Sequence, residues 1–461
     1  MTPPPAARLP TDPTARFALL VAAWALTRFV VLVVTRARQG VYPSQDDAFE
    51  MTLFEQWGPA FVRGEGAVPL QDGPWEYPAA AAVLIAAPSL LRGAPYVLGF
   101  VAQMTLYDLA VLLLLAGWGL RRGTLGGAWF WVVAVPLLGP VALGRFDVVP
   151  VLLAAGGLIA ASASAPLAAG VLLATGAVVK LWPALLVPLV LALHRGGVRV
   201  LAGGVAVGAV VLGLLARYGA VDQSLSFLRY QQERGLEVES VPALPLVLAR
   251  SRGEAGIRVF FDFGSYQVDG PGAEVLRRVS DVGLPAVLGL VAVLTWRARR
   301  PQAEHEPAHE PVDHGQVVVV LSLVLMTGFL LFDKVLSAQY PLWLAGLLAV
   351  ALCWPGSPVR PVVLPLCGVL VLTQAVYPMT FQDLLAGAQR PVAFLVARDL
   401  LLVVVFVQVT WAAWRLGRRP AAGAPAGPAA GAPADTTPGA AAGTTATGTA
   451  GGDDRRGRLG R

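Results

Sequence analysis

The sequence predicts an all-α, polytopic transmembrane helical bundle of about 10–13 spans, whose extracytoplasmic loops contain short interfacial helices. Three observations predict this fold class. Hydrophobic residues make up 56% of the 461 residues and charged residues only 14%, whereas soluble domains carry about 25% charged residues. The apolar residues fall into many runs near the ~20 residues that a helix needs to cross a bilayer. Arginines cluster in the short segments between these runs, as they do in cytoplasmic loops.

The apolar runs give the candidate membrane spans in chain order. Twelve runs qualify, at residues 17–35, 77–91, 96–119, 128–144, 147–165, 167–193, 197–217, 281–297, 315–332, 337–354, 359–378 and 393–415. Arginines follow the sixth, eighth and twelfth runs, so these segments and the N-terminus are expected in the cytoplasm. The pair Arg121-Arg122 falls on the outer side in this count. Either one short run is not a span, or this pair lies on the outer face.

The polar segments divide the chain into three parts. Residues 1–16 form a cytoplasmic N-terminal segment, 17–416 the membrane domain, and 417–461 a tail of Ala, Gly, Pro and Thr with few large apolar residues. Such a tail cannot bury a core, so we expect it to be disordered in the cytoplasm. Two long outer loops, 36–76 and 218–280, carry most of the remaining polar residues.

The composition excludes several classes of function. The net charge is +6, but the arginines lie in short loops, so no nucleic-acid partner is expected. Cys353 and Cys367 lie in apolar runs and indicate neither a disulfide framework nor a metal set. The inner stretch 298–314 contains His305 and His309, with His314 at its end, in an acidic, proline-broken loop that favours solvated histidines over a metal site. We therefore expect no metal and no cofactor.

The first outer loop is predicted to contain an amphipathic helix on the membrane surface, with its aromatic side chains toward the lipid headgroups. The residues that recur at helical spacing are Phe49, Leu53, Phe54, Trp57 and Phe61. Asp46 and Asp47 stand at the start of this helix, where carboxylates cap free amides and suit the helix dipole. The same carboxylates can act in catalysis, and the two roles do not exclude each other. Glu76 and Tyr77 are held at the interface by Pro78, which opens the next run.

The second outer loop has the composition of a ligand site. Its sequence SLSFLRYQQERGLEVESV includes Arg234, Glu237, Glu239 and Ser240. Such side chains bind sugars or phosphates through directed hydrogen bonds. The alternative is a solvated linker, which the interleaved Leu, Val and Phe residues make less attractive.

The two lysines and one charged tripeptide interrupt the apolar runs. Lys180 is either a paired structural lysine or a phosphate ligand, because a charge at membrane depth needs a partner or water. Lys334 lies at an outer span end, where it either snorkels to the interface or binds phosphate. Arg145 and Asp147, in the segment GRFDVVP, form either a self-satisfied ion pair or part of a site.

Five stretches together resemble a known family. They read WEYPAAAAVL, LLGPVALGRFDVVPVLLA, GAVVKLWPALLVP, FLRYQQERGLEVESV and DKVLSAQYPLWL. The chain is similar over about residues 40–410 to the polytopic GT-C glycosyltransferases of glycosyltransferase family 87, membrane mannosyltransferases of high-GC bacteria. One departure is Ala79, where the family usually has a second proline.

The resemblance implies a substrate class and a location. It implies a polyprenyl-phosphate sugar as donor, a lipid or glycolipid as acceptor, and reaction on the outer face of a bacterial plasma membrane. It also implies an acidic general base in the first outer loop, a few positions before an aromatic residue and a tryptophan. Asp47 is the first choice for this base and Asp46 the second, while Glu50 also competes.

The remaining candidate residues follow from these expectations. Cations that face the departing lipid phosphate would stabilise its charge, and the donor or phosphate ligands are expected to be Lys334, Arg234, Lys180, Gln339 and Tyr340. The expected substrate-binding residues are Glu76, Tyr77, Arg145, Asp147, Glu237, Glu239 and Ser240. A base with direct displacement would invert the sugar's anomeric centre. The rival hypothesis is a transporter or flippase of a lipid-linked sugar, against which the absence of an internal repeat speaks.

Overall fold

The computed structural model describes residues 12–37, 44–64, 68, 70, 75–299 and 313–416. Seven helices within these ranges are long and apolar enough to cross a membrane, and seven shorter apolar helices accompany them. The predicted all-α polytopic membrane bundle is therefore confirmed. The expected N-terminal segment before residue 12 and the tail 417–461 lie outside the described residues, as do His305 and His309.

The first part of the bundle contains α1 to α10. Their bounds are α1 Pro13–Ala37, α2 Ser44–Arg63, α3 Ala81–Ala86, α4 Tyr96–Arg121, α5 Gly126–Leu138, α6 Val141–Gly144, α7 Val148–Ser162, α8 Pro166–Val179, α9 Val187–Leu193 and α10 Gly197–Arg217. Short 3-10 turns follow α3 at Ala87–Leu90 and precede α9 at Trp182–Leu186.

The second part contains α11 to α18 and three short strands. The helices are α11 Ser226–Glu233, α12 Leu244–Ser251, α13 Ala273–Arg299, α14 His314–Phe332, α15 Pro341–Ala351, α16 Val363–Gln374, α17 Phe381–Ala386 and α18 Gln389–Leu416. The strands are β1 Leu236–Glu237, β2 Arg258–Asp262 and β3 Ser265–Asp269. Helical turns at Arg360–Val362 and Ala375–Met379 flank α16, and one at Val241–Ala243 precedes α12.

Helices α14 and α15 form the centre of the bundle. Nearly every side chain of both helices is buried, as expected for helices that are apolar on all sides. Helices α1 and α10 are peripheral, because only 17% and 11% of their apolar windows are buried in protein. Their exposed leucines and valines are suited to contact with lipid.

Run 77–91 was expected to be a span, and the structure corrects this assignment. Arg122 donates to Asp313 at 2.9 Å, and Trp354 Nε1 donates to the same carboxylate at 2.7 Å, so the Arg121-Arg122 pair lies at the end of the bundle where α14 begins. Helix α3 and its 3-10 turn together have ten residues, which span about 15 Å, half of a hydrocarbon core of about 30 Å. Run 77–91 therefore does not cross the bundle.

Run 167–193 was expected to be one span, and the structure divides it in two. Helix α8 ends at Val179, and Lys180 adopts an extended conformation. Pro183 follows and cannot donate a helical hydrogen bond, so the chain reverses before α9 begins. His194 then lies near Asp313 and His314 at the end opposite Lys180. Run 167–193 is therefore two helical segments rather than one span.

The prediction that the aromatic face of the first-loop helix points to the headgroups was wrong. Phe54 of α2 is fully buried, and its ring lies 6.2 Å from Tyr77, 5.5 Å from Phe100 and 5.8 Å from Phe146 between centroids. The helix therefore packs its aromatic stripe onto the protein. Aromatic side chains are stabilised by packing against other rings and are also common at membrane interfaces, and the spacing alone does not distinguish the two.

A small antiparallel sheet in the second outer loop was not expected from the sequence. Its strand order is β1-β3-β2, with Glu237 opposite Gln267 and Asp262 opposite Ser265. Phe263 and Gly264 form the two-residue turn between β2 and β3, both with positive φ, at 48° and 69°. A hairpin turn of this kind requires such angles, and it brings the tip of the hairpin over the first outer loop.

Candidate functional site

A polar cavity of about 760 Å³ lies at one end of the bundle. It is formed by the end of the first outer loop, the α6–α7 and α8–α9 connections, the second outer loop, the α14–α15 connection and the turn after α16. Ten residues that the sequence singled out line it, namely Glu76, Tyr77, Arg145, Lys180, Arg234, Glu237, Glu239, Lys334, Gln339 and Tyr340.

The other five candidates lie elsewhere or are not described. Asp147 is buried directly behind the cavity wall, where it contacts Lys180. Ser240 is also fully buried and precedes the turn that leads to α12. Asp46, Asp47 and Glu50 fall within α2, but their side chains lie outside the described residues.

The two outer loops meet at this cavity. The Ser226 hydroxyl lies 3.1 Å from the Trp75 carbonyl oxygen, to which it can donate, and Arg234 Nη2 lies 3.7 Å from Glu76 Oε2. A Cβ atom on Gly264, at the hairpin tip, would lie 3.1 Å from both Glu76 carboxylate oxygens. The last residues of the first loop are thus enclosed by the second.

Lys180 is held at the cavity floor by a buried ion pair. Its Nζ donates to both oxygens of Asp147, at 2.7 and 2.9 Å, and Trp343 Nε1 donates to Asp147 at 2.7 Å. The ammonium also lies between 5.3 and 5.5 Å from the rings of Phe146, Tyr340 and Trp343. The structure therefore favours the paired, structural interpretation of Lys180.

The possible ion pair between Arg145 and Asp147 is not the arrangement observed. Asp147 pairs with Lys180, whereas Arg145 Nη2 donates to the Tyr377 hydroxyl at 3.3 Å. Residue 145 is extended and lies just before α7, so its side chain and that of Asp147 point to different surroundings. Arg145 faces the cavity, and Asp147 stabilises the wall behind it.

The acidic wall of the cavity is fixed by backbone hydrogen bonds. The amide of Glu237 donates to the carbonyl of Lys334 at 2.9 Å, and the amide of Val238 donates to Tyr266 at 2.9 Å. Glu237 Oε2 has no hydrogen-bond partner among the described residues, and burial raises the pKa of this carboxyl. Glu237 thus presents an unused acceptor on a rigid frame.

Lys334 is the most available cation of the cavity. Within the part of the chain that the structure describes, its ammonium makes no hydrogen bond and no ion pair within 4 Å, although its charge lowers the pKa of the adjacent Asp333 and its backbone carbonyl accepts from Glu237. A lysine that lines a cavity without a carboxylate partner is available to an anionic ligand. The structure therefore favours ligand binding over a purely interfacial role for Lys334.

Sequence reasoning missed three residues at the site. Asp333 lines the cavity, and burial raises its pKa to about 7, with the nearby Glu237 charge adding to the increase. Tyr377 lines the cavity from the turn after α16. Arg398 lies fully buried behind Glu239. The adjacent charges Arg398 and Asp399 inside the apolar run 393–415 could have indicated this residue from the sequence.

An apolar groove adjoins the polar cavity. It has a volume of about 930 Å³ and lies between the α9 region and α13, with Leu181 and Leu185 lining both spaces. Its other lining residues include Pro188, Leu288 and Trp296. A ligand with a polar head and a long apolar chain fits this combination of surfaces.

The chemistry of the site follows from its side chains. Four carboxylates, from Glu76, Glu237, Glu239 and Asp333, and four cations line one cavity. Carboxylates accept hydrogen bonds from hydroxyl groups, whereas arginine and lysine bind phosphate oxygens. Within the described ranges, no group of three or more His, Cys, Asp or Glu side chains is arranged to hold a metal ion.

Comparison with known proteins identifies the family. A search among curated proteins gave no significant match. The model of glycosyltransferase family 87 matches residues 75–309, which include Glu76, Lys180 and the second outer loop but neither the acids of α2 nor Lys334. The match covers more than half of the 461 residues. The chain therefore belongs to glycosyltransferase family 87 and is a membrane glycosyltransferase.

Proposed function

We propose that this enzyme transfers a hexose, with mannose as the expected sugar, from a polyprenyl-phosphate donor to a lipid or glycolipid acceptor. The reaction takes place on the outer face of a bacterial plasma membrane and inverts the anomeric centre. The observation that carries the proposal is that a cavity rich in carboxylates and cations and an apolar groove lie side by side, with Leu181 and Leu185 lining both. Both termini are then cytoplasmic, and the cavity opens to the opposite side.

The cations of the cavity suit the departing lipid phosphate. Lys334 offers an unpaired ammonium, and Arg234 lies on the same cavity with Glu76 at 3.7 Å. As the bond between the anomeric carbon and the phosphate oxygen breaks, the electron pair goes to that oxygen, and its negative charge grows. Cations fixed near the oxygen stabilise the transition state more than the ground state. Lys180 serves this role only indirectly, because Asp147 already binds it.

The general base is proposed to be Asp47, with Asp46 second and Glu50 third. The base takes the proton of the acceptor hydroxyl while the hydroxyl oxygen bonds to the anomeric carbon. Position 47 stands seven residues before Phe54 in α2, so a continuous helix places both positions on one stripe, nearly two turns apart. Phe54 packs against Tyr77, which lines the cavity. This packing supports an approach of that stripe to the cavity.

The test uses purified enzyme in liposomes with labelled polyprenyl-phosphate mannose and a lipid extract. We expect a labelled glycolipid whose new bond has the anomeric configuration opposite to that of the donor. Asp47→Asn is expected to abolish this product in a protein that remains folded. Glu55→Gln provides the matched control, because Glu55 is an exposed acid on the same helix.

Two outcomes would contradict the proposal. Full activity in Asp46→Asn, Asp47→Asn and Glu50→Gln alike would remove the base from α2. Movement of the labelled lipid across the liposome bilayer without a new glycosidic bond would indicate a transporter or flippase instead.

A further inference from the structure

Arg28 and Arg398, each within a long helix, are almost completely buried, and their surroundings differ. Arg28 of α1 binds both oxygens of Asp108, at 2.7 and 2.9 Å, and donates to the Val132 carbonyl at 2.8 Å. Trp131 Nε1 also donates to Asp108, at 2.8 Å. This network joins α1, α4 and α5 through complete hydrogen bonding and does not line the polar cavity. Arg28 is therefore structural.

Arg398 of α18 is equally buried but incompletely bonded. Its Nε and Nη2 atoms lie 2.9 Å from Asp399 Oδ1, and Nη2 also donates to the backbone carbonyl of Glu239. Its Nη1 lies 3.6 Å from Glu239 Oε1, beyond hydrogen-bond distance. Arg398 Nη1 and Glu239 Oε1 both lack a hydrogen-bond partner in the described ranges. A fully buried charged group with an unused donor calls for an explanation beyond packing.

Glu239 connects this arginine to the cavity. It lines the cavity, although only 4% of its surface is exposed. The segment before it is fixed, because the Val238 amide donates to Tyr266 and the Ser240 amide donates to Glu237, both at 2.9 Å. The position of the Glu239 carboxyl group is thus set by the backbone on one side and by Arg398 behind it. Glu239 Oε1, the oxygen nearest Arg398, has no hydrogen-bond partner among the described residues and so retains acceptor capacity.

We propose that Arg398 is a positioning residue, which holds Glu239 in the cavity wall as the ionised acceptor of a sugar hydroxyl. The inference rests on the proposed function, since it assigns a role in binding the substrates of that same site. Arg398 itself does not touch the substrate. It acts through the Glu239 carbonyl, which it binds, and through its charge.

The charges around Glu239 give this role a measurable pH dependence. Burial raises the pKa of Glu239 to about 8, Arg398 lowers it, Glu237 and Asp399 raise it, and Arg145 lowers it from the cavity side. The ionised form therefore increases as pH rises through about 8. Removal of the Arg398 charge raises the pKa further, so a higher pH is needed to ionise Glu239. An opposite charge this close typically shifts a carboxyl pKa by about 1–3 units.

The experiment measures kcat/KM for labelled transfer between pH 6 and pH 9.5 (roughly one to two units on either side of that pKa). Four variants are compared with the unmodified enzyme, namely Glu239→Gln, Arg398→Met, Arg398→Lys and the structural control Arg28→Met. We expect Glu239→Gln to lose the increase in kcat/KM near pH 8 and to raise KM more than it lowers kcat. We expect Arg398→Met to move that increase upward by at least about one unit.

The remaining variants separate positioning from folding. Arg398→Lys keeps a positive charge and should restore most of the profile, although lysine cannot make all of the arginine's contacts. Arg28→Met should lower thermal stability and leave the pH profile unchanged. If Arg398→Met does not fold, Glu239→Gln and Arg398→Lys still decide, because Glu239→Gln must remove the increase and Arg398→Lys must retain it.

The inference and the proposed function fail in different ways. Absence of transfer in the unmodified enzyme would contradict the proposed function. Transfer that depends on Asp47, together with an unchanged pH profile in Glu239→Gln and Arg398→Met, would overturn the role of Arg398 alone.

Discussion

The ion pair between Lys180 and Asp147 makes a quantitative prediction about stability. Asp147→Asn leaves the Lys180 ammonium without a carboxylate in a site where the lysine side chain is 13% exposed and that of Asp147 2%. Removal of one partner from a buried ion pair costs about 3–5 kcal/mol, because the remaining charge is still desolvated. The opening toward the cavity gives Lys180 some access to water, so we expect the lower end, about 3 kcal/mol.

The double variant sharpens this prediction. Lys180→Met alone should also destabilise the protein, since Asp147 then keeps only the Trp343 donor, at 2.7 Å. Lys180→Met combined with Asp147→Asn buries no charge and should be less destabilised than the sum of the single variants. Removal of both partners of a buried pair is often close to neutral. The expected coupling between the two positions is about 3 kcal/mol.

The assay is reversible unfolding in mixed micelles, followed by tryptophan fluorescence, with the four proteins of this cycle compared at one pH. Additive single effects would refute the idea that Asp147 neutralises Lys180. Activity measured on the same samples distinguishes the two interpretations of Lys180. If Lys180 is a phosphate ligand, Lys180→Met will abolish transfer even though the double variant is stable.

Three further predictions concern the walls of the site. Lys334→Gln should lower kcat/KM roughly tenfold to a hundredfold through loss of a charged hydrogen bond, whereas Lys334→Arg should retain most activity. Equal activity in the unmodified enzyme and in both variants would exclude Lys334 as a phosphate ligand. Gly264→Ala should lower kcat/KM, because the new Cβ would lie 3.1 Å from the Glu76 carboxylate oxygens. The control Gly253→Ala has a similar positive φ with open space around it and should leave kcat/KM unchanged. Thermal unfolding should show that both substitutions lower the stability by a similar amount, about 1–2 kcal/mol. Leu185→Trp, where cavity and groove meet, should impair a long-chain polyprenyl donor more than a two-isoprene donor, and equal loss with both would separate the groove from the donor's chain.

The sequence predicted the bundle because hydropathy is a strong and local signal. It mis-assigned two runs for a physical reason: run length does not reveal whether a segment reverses. At the reversal, Lys180 pairs with Asp147, 33 positions away, and the short α3 segment differs from a span mainly in length. The shortness of run 77–91 and the misplaced pair Arg121-Arg122 both indicated that one short run need not be a span, and the contact of Arg122 with Asp313 shows the end at which this pair lies.

Candidate site residues could be predicted where polar or charged side chains interrupt apolar sequence. Polar residues in the outer loops, charges between apolar runs and the family resemblance together supplied the ten candidates that line the cavity. The partners of those residues were not predictable, because they are distant in the sequence and only the folded chain brings them together. Examples are the contacts of Glu237 with Lys334 and of Glu239 with Arg398. Asp333 was overlooked beside the more conspicuous Lys334, although both belong to the same short connection.

The most direct test of this account is a structure of the enzyme with a non-cleavable polyprenyl-phosphonate mannose bound. The account predicts that the phosphonate oxygens contact Lys334 and Arg234, that the sugar hydroxyls contact Glu237 or Glu239, and that the isoprenoid chain follows the groove past Leu185. A phosphonate bound away from both cations, with the chain outside this groove, would contradict it.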